Sequence, residues 1–371
     1  MGLKGNDEVM LQRALELARE TAAFASPNPT VGCVLVRHGR VIGEGAHKYD
    51  AVDHAEIVAM KDAAAKGESV KGATAYVTLE PCSHYGRTGP CADALIAAGV
   101  SRCVVAMIDP NPEVGGRGLD KLRKNRVAVD VANRKSEVAT EARKLNEAFA
   151  FAVVHGRPFV TLKTAVSKDG FIAPMQREDR APVWLTGEEA RADVQRLRHA
   201  NDALITGVGT VLADDPELTD RTGLTRRRNL LRVVLDSDLR TPLTSKIFNG
   251  SRDLVFVTGK EPSPEVRREF QARGAEIAVA KDLGRLLRML QERNIRSVLV
   301  EAGSRVNGAF LRAGLVDKVV MYASPVELGE GVPFSDGVGV DDVLAKLKDV
   351  ERVEMGGDVR VSGYLDMTKK A

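Results

Sequence analysis

The chain has 371 residues, and its 44% hydrophobic and 28% charged residues are typical of a soluble globular protein with two domains. Its 54 lysine and arginine residues nearly balance 51 acidic residues, so the net charge of +3 argues against a dedicated nucleic-acid-binding protein. No apolar run approaches the ~20 residues that span a bilayer, and the charged N-terminal residues lack the apolar core of a signal peptide. We therefore expect a cytoplasmic protein without nucleic-acid or membrane partners.

The first half of the chain predicts a layered α/β domain over residues 1–154. Apolar residues at helical spacing predict an amphipathic helix over 8–24. Two short strands joined at 38–39 follow, and then a helix over 55–66. Further strands and helices alternate from there, and the pattern over 136–151 predicts one long helix.

The second half predicts a different α/β domain over residues 155–371, with the boundary at the sequence HGRP. Its first strand is PFVTLKTAV, and apolar runs predict six more strands: ALITG, LRVVLDS, LVFVTG, EIAVA, SVLVEAG and KVVMYA. Helical patterns over 187–198, 263–273 and 282–293 separate several of them. Such alternation favours a largely parallel sheet that is covered on both faces.

Two of the four cysteines lie in unusual surroundings for a protein without disulfides. Cys33 and Cys103 lie inside apolar strands, so we expect them in the core, where a free cysteine behaves as a small hydrophobic residue. Cys82 and Cys91 lie instead among polar and glycine residues. These two cysteines therefore need a chemical explanation.

A metal site is that explanation, because His54-Ala55-Glu56 precedes Pro81-Cys82 and Cys91. One imidazole and two thiolates are good zinc ligands, and they leave a fourth position for a water molecule that the metal activates. Glu56 can carry protons, as in zinc deaminases with an H-x-E and P-C-x-x-C signature. The alternative is a chance coincidence of core cysteines with a surface histidine. Eight residues separate these cysteines, where that signature has two.

The motif HAE with PCSHYGRTGPC, together with PNPTVGCVLV and DPNPEVGGRG, resembles the deaminase domain of the bifunctional deaminase-reductases of riboflavin biosynthesis. The resemblance implies a cytidine-deaminase-like α/β/α fold, in which His54, Cys82 and Cys91 bind Zn²⁺ and Glu56 moves protons. Gly89 replaces a proline that is usual in the family. Asn28 is a candidate substrate contact or a turn former, and His84 is a candidate phosphate contact or a solvated loop residue.

The second half lacks a G-x-G-x-x-G fingerprint, but VEAGSRVNGAFL runs from a strand through glycine into a helix, a pattern that can bind an anion. KTAVSKDGFIA, VWLTG, TVLADDP, LDS and VEAG resemble, in order, the reductase domain of the same family, whose α/β fold is like that of dihydrofolate reductase. The resemblance implies an NADPH site and a substrate site. The NADPH site would contain Ala165, Trp184, Thr210, Asp214, Ser237, Gly303, Ser304, Arg305, Val306, Asn307, Gly308 and Ala309, and the substrate site would contain Lys163, Pro182, Arg198, Leu218, Arg221 and Glu301.

Several of these positions have a purely structural alternative. Arg198 and Arg221 could be surface charges, and Trp184, the single tryptophan, could pack in the core. Lys163 and Asp214 are candidates for proton transfer, with substrate positioning and a ribose contact or helix cap as the respective alternatives. Pro182 departs from the small hydroxyl residue that is usual in the family.

The resemblance implies two consecutive reactions on a phosphorylated pyrimidine. The first is hydrolytic removal of the 2-amino group from 2,5-diamino-6-(5-phosphoribosylamino)pyrimidin-4(3H)-one, and the second is NADPH-dependent reduction of the ribosyl group to ribityl. The main alternative is a zinc deaminase for another nucleoside or base with a non-catalytic, nucleotide-binding second domain. A regulatory protein and an enzyme that has lost its reductase activity through Pro182 are two others. The family resemblance alone predicts a homo-oligomer, specifically a dimer.

Overall fold

The computed structural model describes residues 3, 5–112, 114–176, 183–250 and 253–365. The chain divides into two units between Gly156 and Arg157. Each unit has its own apolar core. No helix in the described part of the chain is both long and apolar enough to cross a membrane.

The first unit contains, among the described residues, a five-stranded sheet in the order β2-β1-β3-β4-β5. The first strand pairs antiparallel with the second and the third, and the last three strands are parallel. The strands are β1 (Gly32–Arg37), β2 (Arg40–Ala46), β3 (Thr74–Val77), β4 (Arg102–Val105) and β5 (Ala128–Val131). The helices are α1 (Gly5–Ala25), α2 (Ala55–Ala65), α3 (Cys91–Ala97), α4 (Arg117–Lys124), α5 (Glu137–Leu145) and α6 (Glu147–His155).

The single long helix predicted over 136–151 is wrong, because the structure has two helices, α5 and α6, that meet at Asn146. The Asn146 side chain accepts a hydrogen bond from the Thr30 N–H at 2.7 Å and donates one to the Thr30 carbonyl at 3.0 Å. Asparagine competes in this way with helical hydrogen bonding. A tertiary contact, which periodicity does not encode, therefore interrupts the helix.

Glycines in β2 allow α2 to lie directly against the sheet. A Cβ atom at Gly45 would come within 2.4 Å of the Ala59 nitrogen and 2.5 Å of the Ala55 carbonyl oxygen. Only glycine permits so close an approach of two backbones. This contact fixes the helix whose N-terminus carries His54 and Glu56.

The second unit contains, within the described ranges, a nine-stranded sheet in the order β11-β10-β9-β8-β12-β6-β13-β16-β15 and a small sheet of β14 and β7. The strands from β11 to β13 in this order are parallel, and β16 and β15 complete the sheet with antiparallel pairs. The strands are β6 (Phe159–Val166), β7 (Phe171–Pro174), β8 (Ala203–Gly207), β9 (Leu231–Leu235), β10 (Leu254–Thr258), β11 (Glu276–Val279), β12 (Ser297–Val300), β13 (Lys318–Ala323), β14 (Gly331–Pro333), β15 (Leu347–Met355) and β16 (Asp358–Leu365). The helices are α7 (Glu188–Ala200), α8 (Val208–Asp214), α9 (Pro264–Ala272), α10 (Leu283–Glu292), α11 (Ser304–Arg312) and α12 (Val340–Leu344).

Both faces of the large sheet are covered, as predicted. Neighbouring residues of one strand, such as Leu204 and Ile205, belong to two different apolar clusters. Successive side chains of a strand point to opposite faces, so each cluster is the core of one face. The prediction of a largely parallel sheet is confirmed, although it did not include the antiparallel hairpin of β15 and β16.

Candidate active sites

Three side chains of the first unit come together where β3 ends and two helices begin. The ligand atoms of His54, Cys82 and Cys91 lie within 4.8 Å of one another. His54 directly precedes α2, and Cys91 is the first residue of α3. The Nδ1 atom of His54 lies 3.5 Å from Sγ of Cys82 and 3.2 Å from Sγ of Cys91. The structure thus brings together the three residues that the sequence motif predicted.

These distances fit a metal with tetrahedral coordination. With Zn–S near 2.3 Å and Zn–N near 2.05 Å, a sulfur and a nitrogen ligand lie ~3.6 Å apart. A hydrogen bond from the Cys91 thiol lowers the pKa of Cys82 to about 4, and the same interaction raises the pKa of Cys91. Bound zinc would hold both sulfurs as thiolates. The donor set and its spacing fit zinc.

Glu56 lies in the first turn of α2 with a side chain that is buried. Its burial raises the pKa of Glu56 to about 7. Glu56 lines one cavity of about 240 Å³ together with His54 and Cys82. A carboxyl group at this position can exchange protons with a molecule held beside the three ligands.

Asn28 lines the same cavity and is held there by His47, a residue that sequence reasoning missed. Nδ2 of Asn28 lies 3.1 Å from Nε2 of His47, and Nδ1 of His47 lies 2.8 Å from the Asp53 carbonyl oxygen. Since that oxygen only accepts, Nδ1 of His47 carries the proton and Nε2 accepts from Asn28. Burial lowers the pKa of His47, which favours this neutral form. A lone histidine after a strand gives no motif that could have predicted this role.

The loop between the two cysteines forms the rim of the cavity. His84 and Arg87 are exposed side chains that line it. The Arg87 guanidinium donates to the Tyr49 carbonyl at 3.0 Å and lies over the Tyr49 ring. The rim therefore carries the positive charge of Arg87. Gly89, which departs from the family pattern, lies in this loop and leaves both cysteines in place.

A second residue that sequence reasoning missed is Glu80, whose buried carboxylate lines the cavity. One oxygen accepts the N–H groups of Asp109 at 3.2 Å and Gly116 at 2.8 Å, and the other accepts those of Gly118 at 2.8 Å and Leu119 at 3.3 Å. Glu80 thus fixes the turn-rich segment after β4 and the N-terminus of α4. Its sequence signal is its position two residues before Cys82.

A cavity of about 2570 Å³ lies at the carboxyl ends of the parallel strands of the second unit. Arg198 and Glu301 form a buried bidentate pair in its wall, with N–O distances of 2.9 and 2.8 Å. Nζ of Lys163 lies 3.8 Å from the same carboxylate. Burial alone would raise the pKa of Glu301, but the charges of Arg198 and Lys163 lower it to about 2. Arg198 is therefore not a surface charge, contrary to the structural alternative.

The loop after α8 forms the wall next to this pair. The Arg198 guanidinium donates to the Thr219 carbonyl at 3.0 Å. Leu218 is buried with a left-handed backbone at φ 54°, and Arg221 extends into the cavity wall with an exposed side chain. The pair of Arg198 and Glu301 therefore also shapes the loop that presents Arg221.

The turn between β12 and α11 supplies backbone donors to the cavity. Gly303 precedes α11, and the residues 303–306 line the cavity. The N–H groups of Val306 and Asn307 donate to the Gly303 carbonyl, so the donors available at this helix N-terminus are those of Ser304 and Arg305.

The resemblance also assigns Asn307, Gly308 and Ala309, which lie farther along α11, to the cofactor site. Asn307 is fully buried and donates to the Phe334 carbonyl at 2.9 Å. A Cβ atom at Gly308 would lie 2.4 Å from the Asp336 carbonyl oxygen, so this residue packs against another segment. None of the three lines the cavity.

The remaining predicted residues of the second unit line the cavity where the structure describes them. Trp184 is 61% exposed and lies beside the Arg191 guanidinium, so the alternative of core packing is wrong for this residue. Pro182 lies outside the described residues. The other lining residues from the predicted set are Ala165, Thr210, Asp214 and Ser237.

Comparisons with known proteins cover both units. The family model "Cytidine and deoxycytidylate deaminase zinc-binding region" matches residues 4–107, and the model "RibD C-terminal domain" matches residues 158–361. The riboflavin biosynthesis protein RibD of Aquifex aeolicus is 38% identical over 344 residues, which are 92% of this chain and 93% of that protein. RibD of Escherichia coli is 42% identical over 337 residues, 87% of this chain and 89% of that protein.

A solved structure agrees with these relatives. The diaminohydroxyphosphoribosylaminopyrimidine deaminase/5-amino-6-(5-phosphoribosylamino)uracil reductase of Thermotoga maritima is 36% identical, with a TM-score of 0.84 over 97% of this chain and 99% of that one. The matches support the predicted deaminase-reductase over a deaminase with a non-catalytic second domain, and they confirm the cytidine-deaminase-like first domain. The chain belongs to the RibD family of riboflavin biosynthesis and is a bifunctional enzyme with a zinc-binding deaminase domain and an NADPH-dependent reductase domain.

Proposed function

We propose that His54, Cys82 and Cys91 hold the zinc ion and that Glu56 is the proton carrier of the deaminase. The spacing of the three ligand atoms and the burial of Glu56 in the same cavity support this assignment. Bound zinc would activate a water molecule for attack on the ring carbon that bears the amino group. The Glu56 carboxylate takes a proton from that water and delivers one to the departing nitrogen, which leaves as ammonia.

The substrate of this first reaction is 2,5-diamino-6-(5-phosphoribosylamino)pyrimidin-4(3H)-one, and its product is the corresponding aminouracil. The Thermotoga maritima relative is itself named as a deaminase of a diaminohydroxyphosphoribosylaminopyrimidine, which supports this choice of substrate. Asn28, oriented by His47, offers amide groups to the polar edge of the pyrimidine. His84 and Arg87 on the rim offer donors for the ribose phosphate.

The second reaction reduces the ribosyl group of the aminouracil to ribityl, which gives 5-amino-6-(5-phosphoribitylamino)uracil. When bound, NADPH would supply the hydride to C1′ of the opened sugar. The N–H groups of Ser304 and Arg305 at the positive end of α11 would hold its diphosphate. The other proposed cofactor contacts are Ala165, Trp184, Thr210, Asp214 and Ser237.

The substrate of the reductase lies against the buried charges of the cavity wall. Arg221 suits the phosphate, because a guanidinium binds phosphate with two parallel hydrogen bonds. Lys163 is largely buried, and burial lowers its pKa, so it can give a proton to the amine nitrogen as the C1′=N bond of the opened sugar is reduced. Arg198, Glu301 and Leu218 shape the wall beside it.

The single observation that carries the proposal is the His54, Cys82 and Cys91 cluster beside buried Glu56, in a chain whose second half matches the reductase model. The test compares the zinc content and ammonia release of the wild type with those of Cys82→Ser and the core-cysteine control Cys103→Ser. We expect about one zinc per chain and ammonia release in the wild type and the control, with loss of both in Cys82→Ser. Full zinc and full activity in Cys82→Ser would overturn the ligand assignment.

We also propose a cytoplasmic homodimer. The free thiols and the thiolate ligands suit a reducing compartment. The edge strands β11 and β15 of the large sheet each pair on one side only within the described residues, and such edges can pair with another chain. Light scattering should give a mass of about twice 40.0 kDa. A mass of 40.0 kDa at working concentrations would contradict the dimer.

A further inference from the structure

The cavity of the second unit extends along a row of parallel strands in the order β6, β12, β8 and β9, whose carboxyl ends lie at one edge. Lys163 and Glu301 lie at the β6 and β12 end of this row, and the Ser304 turn follows β12. Ser237 and Arg240 follow β9 and line the far end of the same cavity. Three strand spacings of ~4.8 Å place the two ends ~14 Å apart.

This row gives the bound dinucleotide a direction. Its nicotinamide would lie near Lys163 and Glu301, where the sugar would be reduced, and its diphosphate would lie at the Ser304 turn. The adenosine half would then extend over β8 toward the end of β9. Ser237 and Arg240 would be the residues beside the adenosine ribose, which carries the 2′-phosphate that distinguishes NADPH from NADH.

The loop that carries Arg240 has a fixed backbone. The fully buried carboxylate of Asp236 accepts the N–H of Arg240 at 3.0 Å, the N–H of Thr241 at 2.9 Å and the Thr241 hydroxyl at 2.8 Å. Leu239 adopts a left-handed backbone at φ 51° and donates to the Asp236 carbonyl at 3.2 Å. Arg240 is thus held on a preformed loop, so that binding a ligand there needs little ordering of the chain.

The side chain of Arg240 is exposed and makes no hydrogen bond or ion pair with any residue that the structure describes. Two other cations that line the cavity differ from Arg240 in their contacts or their position. Lys246 is 4.0 Å from the Asp215 carboxylate, and Arg305 lies on α11 beside the diphosphate position. The exposed Asp238 lies on the same loop as Arg240 but does not line the cavity. Arg240 is therefore the cation that faces the end of the row without a counter-ion among the described residues.

We propose that Arg240 binds the 2′-phosphate of NADPH and sets the preference of this reductase for NADPH over NADH. The phosphate carries nearly two negative charges at neutral pH and matches the fork of guanidinium N–H groups. Ser237, which is exposed and lines the same cavity, offers a hydroxyl to the same phosphate. This inference rests on the cofactor placement proposed above.

The test is calorimetric binding of adenosine 2′,5′-bisphosphate and of AMP, followed by NADPH and NADH, to the full-length zinc-loaded protein. Arg240→Gln should weaken the bisphosphate and NADPH by about 10- to 100-fold and leave AMP and NADH unchanged, because a hydrogen bond to a charged group is lost. The affinity of Arg240→Lys for the bisphosphate and NADPH should lie between that of the wild type and that of Arg240→Gln. Lys260→Gln, on the exposed loop after β10 and outside the cavity, is the matched control.

Each outcome separates this inference from the proposal on which it rests. One contrary result is that Arg240→Gln weakens the bisphosphate as much as AMP and NADPH as much as NADH, and another is that it weakens none of them. Either result would mean that Arg240 does not bind the 2′-phosphate. If Lys246→Gln rather than Arg240→Gln removes the preference, the adenosine half lies elsewhere and the inference is wrong. If the wild type binds neither NADPH nor NADH, the cofactor placement itself fails. Circular dichroism of every variant at the wild-type level excludes misfolding as the cause.

Discussion

At the scale of single residues, burial and neighbouring charge give two carboxyl groups opposite behaviour. Burial raises the pKa of Glu56 to about 7, whereas the charges of Arg198 and Lys163 outweigh burial and lower the pKa of Glu301 to about 2. The first value suits a group that takes up and releases protons near neutral pH. The second suits a permanent anion that orients two cations.

Glu56→Gln should therefore stop proton transfer without disturbing the metal. We expect ammonia release to fall by about 100-fold or more, which is the usual contribution of general acid–base catalysis. The zinc content should stay at one per chain, since glutamine has the same shape and Glu56 is not among the ligands. Glu20→Gln, on the exposed side of α1, is the control. Ammonia release within about threefold of the wild type would contradict the assigned role.

The lowered pKa of Glu301 also predicts how the free energy of unfolding depends on pH. The pKa of Glu301 in the folded protein lies below its ordinary value of 4.5, so the ionised carboxylate stabilises the fold above pH 4.5. This stabilisation is at most about 3 kcal/mol. It is lost as the pH falls through about 2. Glu301→Gln leaves Arg198 buried without its anion and should lower the free energy of unfolding at pH 7 by about 3–5 kcal/mol. Urea unfolding followed by circular dichroism at several pH values measures the free energy of unfolding. In Glu301→Gln this free energy should depend less on pH than in the wild type. Equal slopes against pH in the two proteins would contradict the prediction.

The residues of the zinc site could be predicted from sequence because each stands next to a local signal. His54 and Glu56 begin a helix, Cys82 follows a strand and proline, and Cys91 begins another helix. His47 has no such signal, because its role depends on a contact with Asn28 that only the fold creates.

Apart from the glycine turn before α11, the reductase residues are predicted by the family resemblance alone. They lie on β6, α7, the loop after α8, and the end of β12, which are separated by long stretches of sequence. No local spacing joins Lys163, Arg198 and Glu301 before the sheet is formed.

At the level of elements, most strands and helices with an apolar face are predictable from the sequence, and several without one are not. The strands of both parallel regions are apolar runs, whereas β15 has exposed side chains along most of its length and was not predicted. Helix α8 begins between two glycines and α12 is five residues long, and neither helix was predicted. Burial, which drives the apolar pattern, is weak in these three elements.

The segment after β4 gives a test at this scale, because Glu80 holds it through four backbone N–H groups. Glu80→Gln replaces one acceptor oxygen with a donor, so two N–H groups lose their partner. We expect the free energy of unfolding of the first unit to fall by about 1–3 kcal/mol. We also expect the KM of the deaminase to rise by a larger factor than the one by which its kcat falls. Zinc content and reduction of deaminated substrate should stay unchanged. Glu68→Gln, in a surface ion pair with Arg37, is the control.

An unchanged KM in Glu80→Gln, with faster proteolysis of the segment, would mean that the segment does not position substrate. A fall in zinc content would mean that Glu80 acts through Cys82 instead. Both results would contradict the role of Glu80 as a positioning residue for the substrate side of the cavity.

At the scale of the whole molecule, each cavity is built from residues of one unit. The lining of the first lies between Asn28 and Phe149, and that of the second between Lys163 and Val361. A variant in one site should therefore leave the other reaction intact. In a mixture of two variants, a reductase-inactive variant should deaminate the substrate and Glu56→Gln should reduce the product. Both reactions are then completed if the aminouracil is released from the first variant.

The two consecutive reactions are tested most directly by following NADPH absorbance in a mixture of zinc-loaded protein, NADPH and the diaminopyrimidine phosphoribosylamine. We predict NADPH oxidation by the wild type, little oxidation by Glu56→Gln, and full recovery when Glu56→Gln receives the already deaminated compound. That pattern would establish both reactions and their order in one chain. Ammonia release by the wild type without any NADPH oxidation, even with the deaminated compound, would contradict the reductase assignment.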